Sequence, residues 1–180
     1  MKQSLQYASF LLFLFIQSSC SPKLAGEATA LPPLIETGSQ SQKYNMQLNL
    51  MKHHFSGMLI IRQMSDNEIR ILGSTYFGLS LFDFSLYPEE FKVNSCLEPL
   101  RKQKILMLLE NDFNNLFLPS SGMTVKKKST ALEKRISGKG FGKSVFYLSD
   151  FDNGQAGQIR IKHPWIRLTI QLDELNENSF

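Results

Sequence analysis

The chain has 180 residues, with 20 basic and 16 acidic side chains, a formal net charge of +4 and two cysteines. A charge balance this mildly basic does not by itself indicate a nucleic-acid-binding protein. About 160 residues remain once an N-terminal targeting segment is set aside, which is enough for one domain with a real core but not for two.

The N-terminal segment has the features of an export signal. Lys2 supplies a positive charge, residues 7–16 form an apolar run, and two serines precede Cys20. The run is shorter than the roughly 20 apolar residues that a membrane-spanning helix needs. Its small-small-Cys ending resembles the lipobox of bacterial lipoproteins, which implies a signal peptide over residues 1–19 and lipidation of Cys20. An ordinary cleaved signal with Cys20 as an incidental thiol is the alternative.

The expected state of the second cysteine, Cys96, depends on that of Cys20. If Cys20 carries lipid, Cys96 has no disulfide partner, so the domain must be stable without a disulfide. A lone exposed thiol would invite oxidation, and we therefore expect Cys96 to be buried.

Residues 20–43 lack a sustained hydrophobic period and contain proline pairs and small polar residues. This composition predicts a flexible tether between the anchor and a folded domain over residues 44–180.

The domain is predicted to begin with extended segments. Residues 46–50 alternate apolar and polar side chains, as a half-buried strand does. Residues 58–62 and 68–73 are further strand-like runs separated by turn residues, so we expect them to pair as an antiparallel hairpin.

Residues 74–86 have apolar side chains on both faces of a predicted strand. Such a strand is buried on both faces, or has the core on one side and an apolar cavity on the other. Gly78, in the middle of the run, indicates a bulge or a sharp bend. A further short strand is predicted over residues 91–95.

One long helix is predicted over residues 100–118, because apolar residues recur there at helical spacing. Pro99 opens this helix, and Pro119 and Gly122 end it. Residues 123–143 are polar and basic and are predicted to form a loop.

Strands are expected again over residues 145–148, 157–163 and 166–172. The total is seven or eight strands joined by short turns, with one helix. The fold class predicted is therefore α+β, mainly β: a curved antiparallel sheet or incomplete β-barrel packed around one main helix.

Few residues suggest catalysis or metal binding. The glycine- and lysine-rich residues 137–144 resemble the end of a phosphate-binding loop, but a strand-like segment follows where that motif needs a helix. His53 and His54 would point to opposite faces of a strand and could not share a metal. Asp83, within an apolar strand, is the one carboxylate whose setting could perturb its pKa, and pairing with a basic neighbour is its commoner role.

A basic cluster is the main candidate for surface contact: Lys126, Lys127 and Lys128. It could attract anionic headgroups or an acidic face of a partner protein. A solvated loop is the default interpretation.

The lipobox-like Cys20 and an antiparallel sheet with a hydrophobic helix resemble the bacterial lipoprotein carriers and receptors of the LolA/LolB type. The residues that carry the resemblance within the domain are 55–61, 69–71 and 77–84. The resemblance implies an incomplete barrel around helices, with an apolar cavity that receives acyl chains.

The sequence therefore favours an envelope lipoprotein without catalytic activity, metal or cofactor, anchored through Cys20, on the outer membrane facing the periplasm. It would bind lipid or lipoprotein acyl chains in an apolar concavity. The candidate lining residues are Ile60, Ile71, Phe77, Leu79, Leu81, Phe82, Phe84, Leu109, Phe113 and Trp165. The alternative is a structural or assembly lipoprotein that contacts envelope proteins through its surface. An envelope hydrolase that uses Asp83 or His163 ranks below both.

Overall fold

The structure, a computed structural model, describes residues 30–64 and 67–175. It consists of ten β-strands, one α-helix and two single-turn 3-10 helices, at Glu98–Leu100 and Gly140–Gly142. The helix, α1, spans Gln103–Phe117. The strands in chain order are β1 (Gln42–Leu50), β2 (His53–Gln63), β3 (Ile69–Thr75), β4 (Ser80–Leu86), β5 (Phe91–Cys96), β6 (Met123–Lys128), β7 (Leu132–Ser137), β8 (Ser144–Asp152), β9 (Gln155–His163) and β10 (Leu168–Glu174).

All ten strands form one curved, unclosed antiparallel sheet in the order β5-β4-β3-β2-β1-β10-β9-β8-β7-β6. The first wing of the sheet is β1 to β5 and the second wing is β6 to β10, and each wing is a series of hairpins. The wings join where β1 pairs with β10, with Leu48 opposite Ile170. The helix α1 connects β5 to β6, the two edge strands. This architecture confirms the predicted fold class of a mainly β, α+β protein with a curved antiparallel sheet.

Alternating side chains determine which face of the sheet is buried. In β1, Met46, Leu48 and Leu50 are buried, whereas Gln47 between them is exposed. A two-residue period places every second side chain on the inner face, so the inward-facing side chains of the sheet supply one wall of the core.

The helix supplies the other wall. Its buried apolar residues repeat at helical spacing and are Ile105, Leu108, Leu109, Phe113, Leu116 and Phe117. The predicted hairpin of β2 and β3 is confirmed, with Ile61 opposite Ile71. Cys96 is also buried as expected, and burial raises the pKa of its thiol to about 11.

Three predictions about the chain's organisation are wrong. The tether does not extend over residues 31–43, because Leu34 and Ile35 are buried in the core and donate backbone hydrogen bonds to the carbonyl of Leu116. Strand β1 begins at Gln42, and the sheet has ten strands rather than seven or eight.

The run predicted as one two-sided strand over residues 74–86 is broken by a turn. Gly78 adopts a φ of 81° and donates its N–H to the carbonyl of Thr75, and the Leu79 N–H bonds the Thr75 hydroxyl. The predicted bend at Gly78 is thus confirmed, and Phe77 is removed from the strand.

The predicted loop over residues 123–143 is instead the hairpin of β6 and β7 at the edge of the second wing. Lysines on an edge strand discourage pairing with another chain, which accounts for the basic composition of β6.

The predicted signal peptide at residues 1–19, the lipidation of Cys20 and residues 20–29 of the tether lie outside the described residues. Within the described part of the chain, no helix combines the length and apolar character that crossing a bilayer requires.

Candidate functional site

Six of the ten predicted lining residues lie in the packed core. They are buried against one another or against neighbouring core residues: Ile71, Leu81, Phe82, Phe84, Leu109 and Phe113. The ring of Phe82 stacks on that of Phe84 at a centroid distance of 4.8 Å, and the Phe113 ring lies 5.9 Å from each. Such spacings are those of aromatic packing, so these side chains hold the helix against the first wing.

The other four predicted lining residues lie outside this core. Ile60 alternates with the buried Leu59 and Ile61, so it lies on the outer face of the sheet and is half-buried. Phe77 is 100% exposed, Leu79 55% and Trp165 68%. The expectation that all ten residues line one concavity is therefore wrong, because three lie in surface turns and one lies on the opposite face.

The predicted basic cluster lies on the edge strand β6. Lys126 and Lys128 are exposed, and the Lys128 Nζ is 3.6 Å from the Glu133 Oε2 on β7. The side chain of Lys127 lies outside the described part of the chain. A role for this cluster in surface contact stays a prediction.

Asp83 has a structural partner. On the outer face of the first wing, its carboxylate accepts a 2.6 Å hydrogen bond from the Arg70 Nη2, and the Arg70 Nε forms an ion pair at 2.6 Å with its other oxygen. Pairing with a basic neighbour, the commoner role expected of it, is confirmed.

A concave site lies at one end of the sheet, where four of the hairpin turns gather. These turns join β1 to β2, β3 to β4, β7 to β8 and β9 to β10. We call this end the pocket rim, and the end with the other four turns the opposite rim. One of the pockets at this rim, which we call the rim pocket, has a volume of about 480 Å³ and is lined by Leu50, Met51, Lys52, His53, Pro99, Lys102, Ile105 and Arg167.

Three local features build the pocket. Met51 turns the chain between β1 and β2 with a positive φ of 53°, and its N–H bonds the Arg167 carbonyl at 2.8 Å. This bond ties the first turn to the turn before β10. Lys102 precedes the first residue of α1, and its carbonyl accepts the Ile105 N–H at 2.8 Å. The pocket therefore lies between two turns of the sheet and the start of the helix.

The lining divides into an apolar floor and a cationic mouth. Leu50 and Ile105 are both under 5% exposed and form the floor with Pro99. Lys52, Lys102 and Arg167 supply positive charge, and none of the lining residues is acidic. The amide end of the helix adds partial positive charge on the same side. This arrangement suits a ligand with an apolar part and an anionic group.

A polar cluster is buried between the helix and the second wing. The Asp112 carboxylate accepts a 2.7 Å hydrogen bond from the Ser144 hydroxyl and lies 2.7 Å from the His163 Nε2. Burial raises the pKa of Asp112, against the opposing effect of hydrogen bonds from His163 and Ser144. Sequence patterns did not single out Asp112, although a polar residue within a buried helical stripe is a signal for such a cluster.

This cluster does not have the geometry of a nucleophilic triad. Ser144 bonds Asp112 rather than His163, so the contact between a serine and a base that activates a nucleophile is not made. Both His163 and Asp112 have fully buried side chains. The His163 Nδ1 has no hydrogen-bond partner among the described residues.

The described residues contain no group of three or more His, Cys, Asp or Glu side chains placed to hold a metal ion. The His54 ring bonds the Asn49 side chain at 2.6 Å, while His53 stacks on Phe55.

No protein-family model matches the chain, and no curated protein matches it either.

Proposed function

We propose that this chain is a lipid-anchored envelope protein, without catalytic activity, that binds the acyl part of a lipid or lipoprotein. The binding site is the rim pocket, not the aromatic core. The supporting observation is the combination of an apolar floor at Leu50 and Ile105 with three cations at the mouth. Each buried methylene contributes about 0.8 kcal/mol, and the cations meet the carboxylate or phosphate.

The size of the pocket fits this assignment. Ligand sites for small molecules span roughly 300–1,000 Å³, and about 480 Å³ places this pocket in the lower part of that range. It accommodates a headgroup with the adjoining part of a chain, and its open mouth lets the remainder extend along the rim.

The test uses the chain from Ser21 onward, purified without detergent. This start keeps Leu34 and Ile35, which belong to the core. Native mass spectrometry with lipid extraction identifies co-purified amphiphile, and titration with a fluorescent fatty acid measures affinity. We expect saturable binding that weakens about tenfold or more in Lys52→Glu/Arg167→Glu, because each removed charge-assisted hydrogen bond contributes about 1.5–3 kcal/mol.

The matched control carries Arg62→Glu/Lys92→Glu, which reverses two exposed cations in strands near the opposite rim. It makes the same change in net charge and should bind the probe as the parent chain does. A domain that carries no co-purified lipid and does not bind the probe would contradict the assignment of the pocket. Equal weakening of probe binding in the variant and the control would also contradict it.

The alternative function is assembly through a protein partner. It is favoured by the exposed Val125 and Lys126 on β6, whose outer edge has no neighbouring strand among the described residues. Charge reversal at Lys126 should impair function under this alternative and leave probe binding unchanged.

A further inference from the structure

Exposed apolar side chains are concentrated at the pocket rim. Each of its four turns carries at least one large apolar residue that is at least 37% exposed, and these residues are Met51, Phe77, Leu79, Phe141 and Trp165. Among the described residues in the turns of the opposite rim, Met64 is the one comparable case. Solitary exposed hydrophobic residues are ordinary, whereas a set gathered at one end of a fold marks an interaction surface.

Charge is divided between the two rims in the same way. The turns of the pocket rim and the segment that starts the helix contain one acid, Glu98, against the seven bases Lys52, Arg101, Lys102, Lys104, Lys139, Lys143 and Arg167. The described turn residues of the opposite rim contain acids but no base, and those acids are Glu68, Glu89 and Glu90. The described turn residues therefore differ in charge between the two rims, with the basic ones at the pocket rim.

The N-terminal segment enters the fold near this same end. The backbones of Leu31 and Ser120 exchange two hydrogen bonds, of 2.8 and 2.9 Å. Ser120 closely precedes Met123, which starts β6 opposite Ser137 at the pocket rim. The chain between Cys20 and Leu31 reaches at most about 35–40 Å when fully extended. A lipid on Cys20 is therefore compatible with a pocket rim that faces the membrane.

We propose that the pocket rim docks on the anionic surface of a lipid bilayer. The tips of its turns lie at the boundary between headgroups and acyl chains, and the basic side chains lie beside the phosphates. Trp165 suits this level, because an indole is amphipathic. A basic residue near an anionic bilayer strengthens partitioning roughly fivefold. The inference goes beyond the proposed function, because docking does not require a ligand in the pocket.

Trp165 is the sole tryptophan of the chain, so its fluorescence reports on this rim directly. The full chain is reconstituted into phosphatidylglycerol/phosphatidylcholine vesicles that contain brominated acyl chains, and into vesicles of phosphatidylcholine alone. We expect blue-shifted, bromine-quenched emission in the anionic vesicles. The quenching should decrease with added salt, because the attraction is screened within about 10 Å at moderate ionic strength. An anchored chain whose rim faces water would show no quenching.

Two variants at this rim test the two contributions separately, and none of the substituted residues lines the pocket. In Lys139→Glu/Lys143→Glu the ratio of docked to undocked chain should fall about tenfold or more. Phe77→Ser/Leu79→Ser should reduce the extent to which the brominated chains quench Trp165, while the quenching that remains should still decrease with added salt. The control, Arg62→Glu/Lys92→Glu, should dock as the parent chain does.

Folding of each variant is checked by thermal unfolding, and probe binding by the pocket shows separately whether the proposed function holds. Unquenched Trp165 in anionic vesicles, or equal loss in the control, would overturn docking. Shielding of Trp165 by a co-purifying protein in place of lipid would also overturn it and assign the rim to a protein interface.

Discussion

The two wings of the sheet contact the same helix in different ways. The first wing presents aromatic rings, with Phe82 and Phe84 against Phe113. The second wing presents polar groups, with Ser144 and His163 bonded to Asp112. Apolar packing is strong but non-directional, whereas hydrogen bonds between buried groups have fixed geometry. We infer that the first wing supplies most of the energy that holds the helix and the second wing determines its position along the sheet.

The largest effect is expected from Phe113→Ala, which removes the ring that touches Phe82, Phe84 and Phe117. The free energy of unfolding, measured by urea titration, should fall by about 3–5 kcal/mol. Met107→Ala, at a helix position that is 42% exposed, is the control and should cost well under about 1 kcal/mol. Equal losses in the two variants would show that the first wing does not dominate the packing of the helix.

A smaller loss is expected from Asp112→Ala on the other side of the helix. Ser144 and His163 then lose their acceptor inside the protein, and an unpaired buried polar group costs about 1–3 kcal/mol. The same urea titration, with Asp152→Ala as a control at an exposed carboxylate, measures the difference. A stabilised Asp112→Ala variant would contradict a structural role for these hydrogen bonds.

The smallest expected effect is a dependence of stability on pH that arises from Asp112, at the contact of the helix with the second wing. Because burial raises the pKa of Asp112, the folded chain keeps a proton that the unfolded chain has released at pH values between the ordinary and the raised pKa. The contribution of Asp112 to stability therefore declines as the pH rises through that interval, by at most about 1.4 kcal/mol per pH unit.

Urea titrations of the parent chain and Asp112→Asn across this interval reveal the effect as a difference that changes with pH, since asparagine does not titrate. Phe113→Ala should keep the dependence on pH of the parent chain. A constant difference between the parent and Asp112→Asn would show that the carboxyl keeps its ordinary pKa.

The first wing was largely predictable from sequence, and the second was less so. The alternation in β1 and the hairpin of β2 and β3 are local patterns, and so is the helical stripe. Strands β6 and β7 carry lysines where a buried strand would carry apolar residues, and β6 is an edge strand with β7 as its neighbour. Composition alone therefore favoured a loop.

The candidate site was not predictable from local patterns. Leu50, Ile105 and Arg167 come from distant segments that the sheet brings to one rim. The pairing of Asp112 with His163 is likewise non-local. The assignment of Phe77 and Trp165 to the cavity was wrong because both are exposed. The identity of an aromatic residue does not reveal whether it packs in a core or lies at the tip of a turn.

The arrangement of strands also has a consequence for how the chain folds. Among the described strands, every neighbouring pair is a hairpin except β1 with β10. Each wing can therefore form from local contacts, which close quickly, whereas the central seam must wait for the last strand of the chain. A chain truncated before residue 168 would leave the backbone of β1 unpaired on one side. Such an intermediate has an open strand edge in the middle of the future sheet, so the interval before the seam closes is the period of greatest exposure to aggregation.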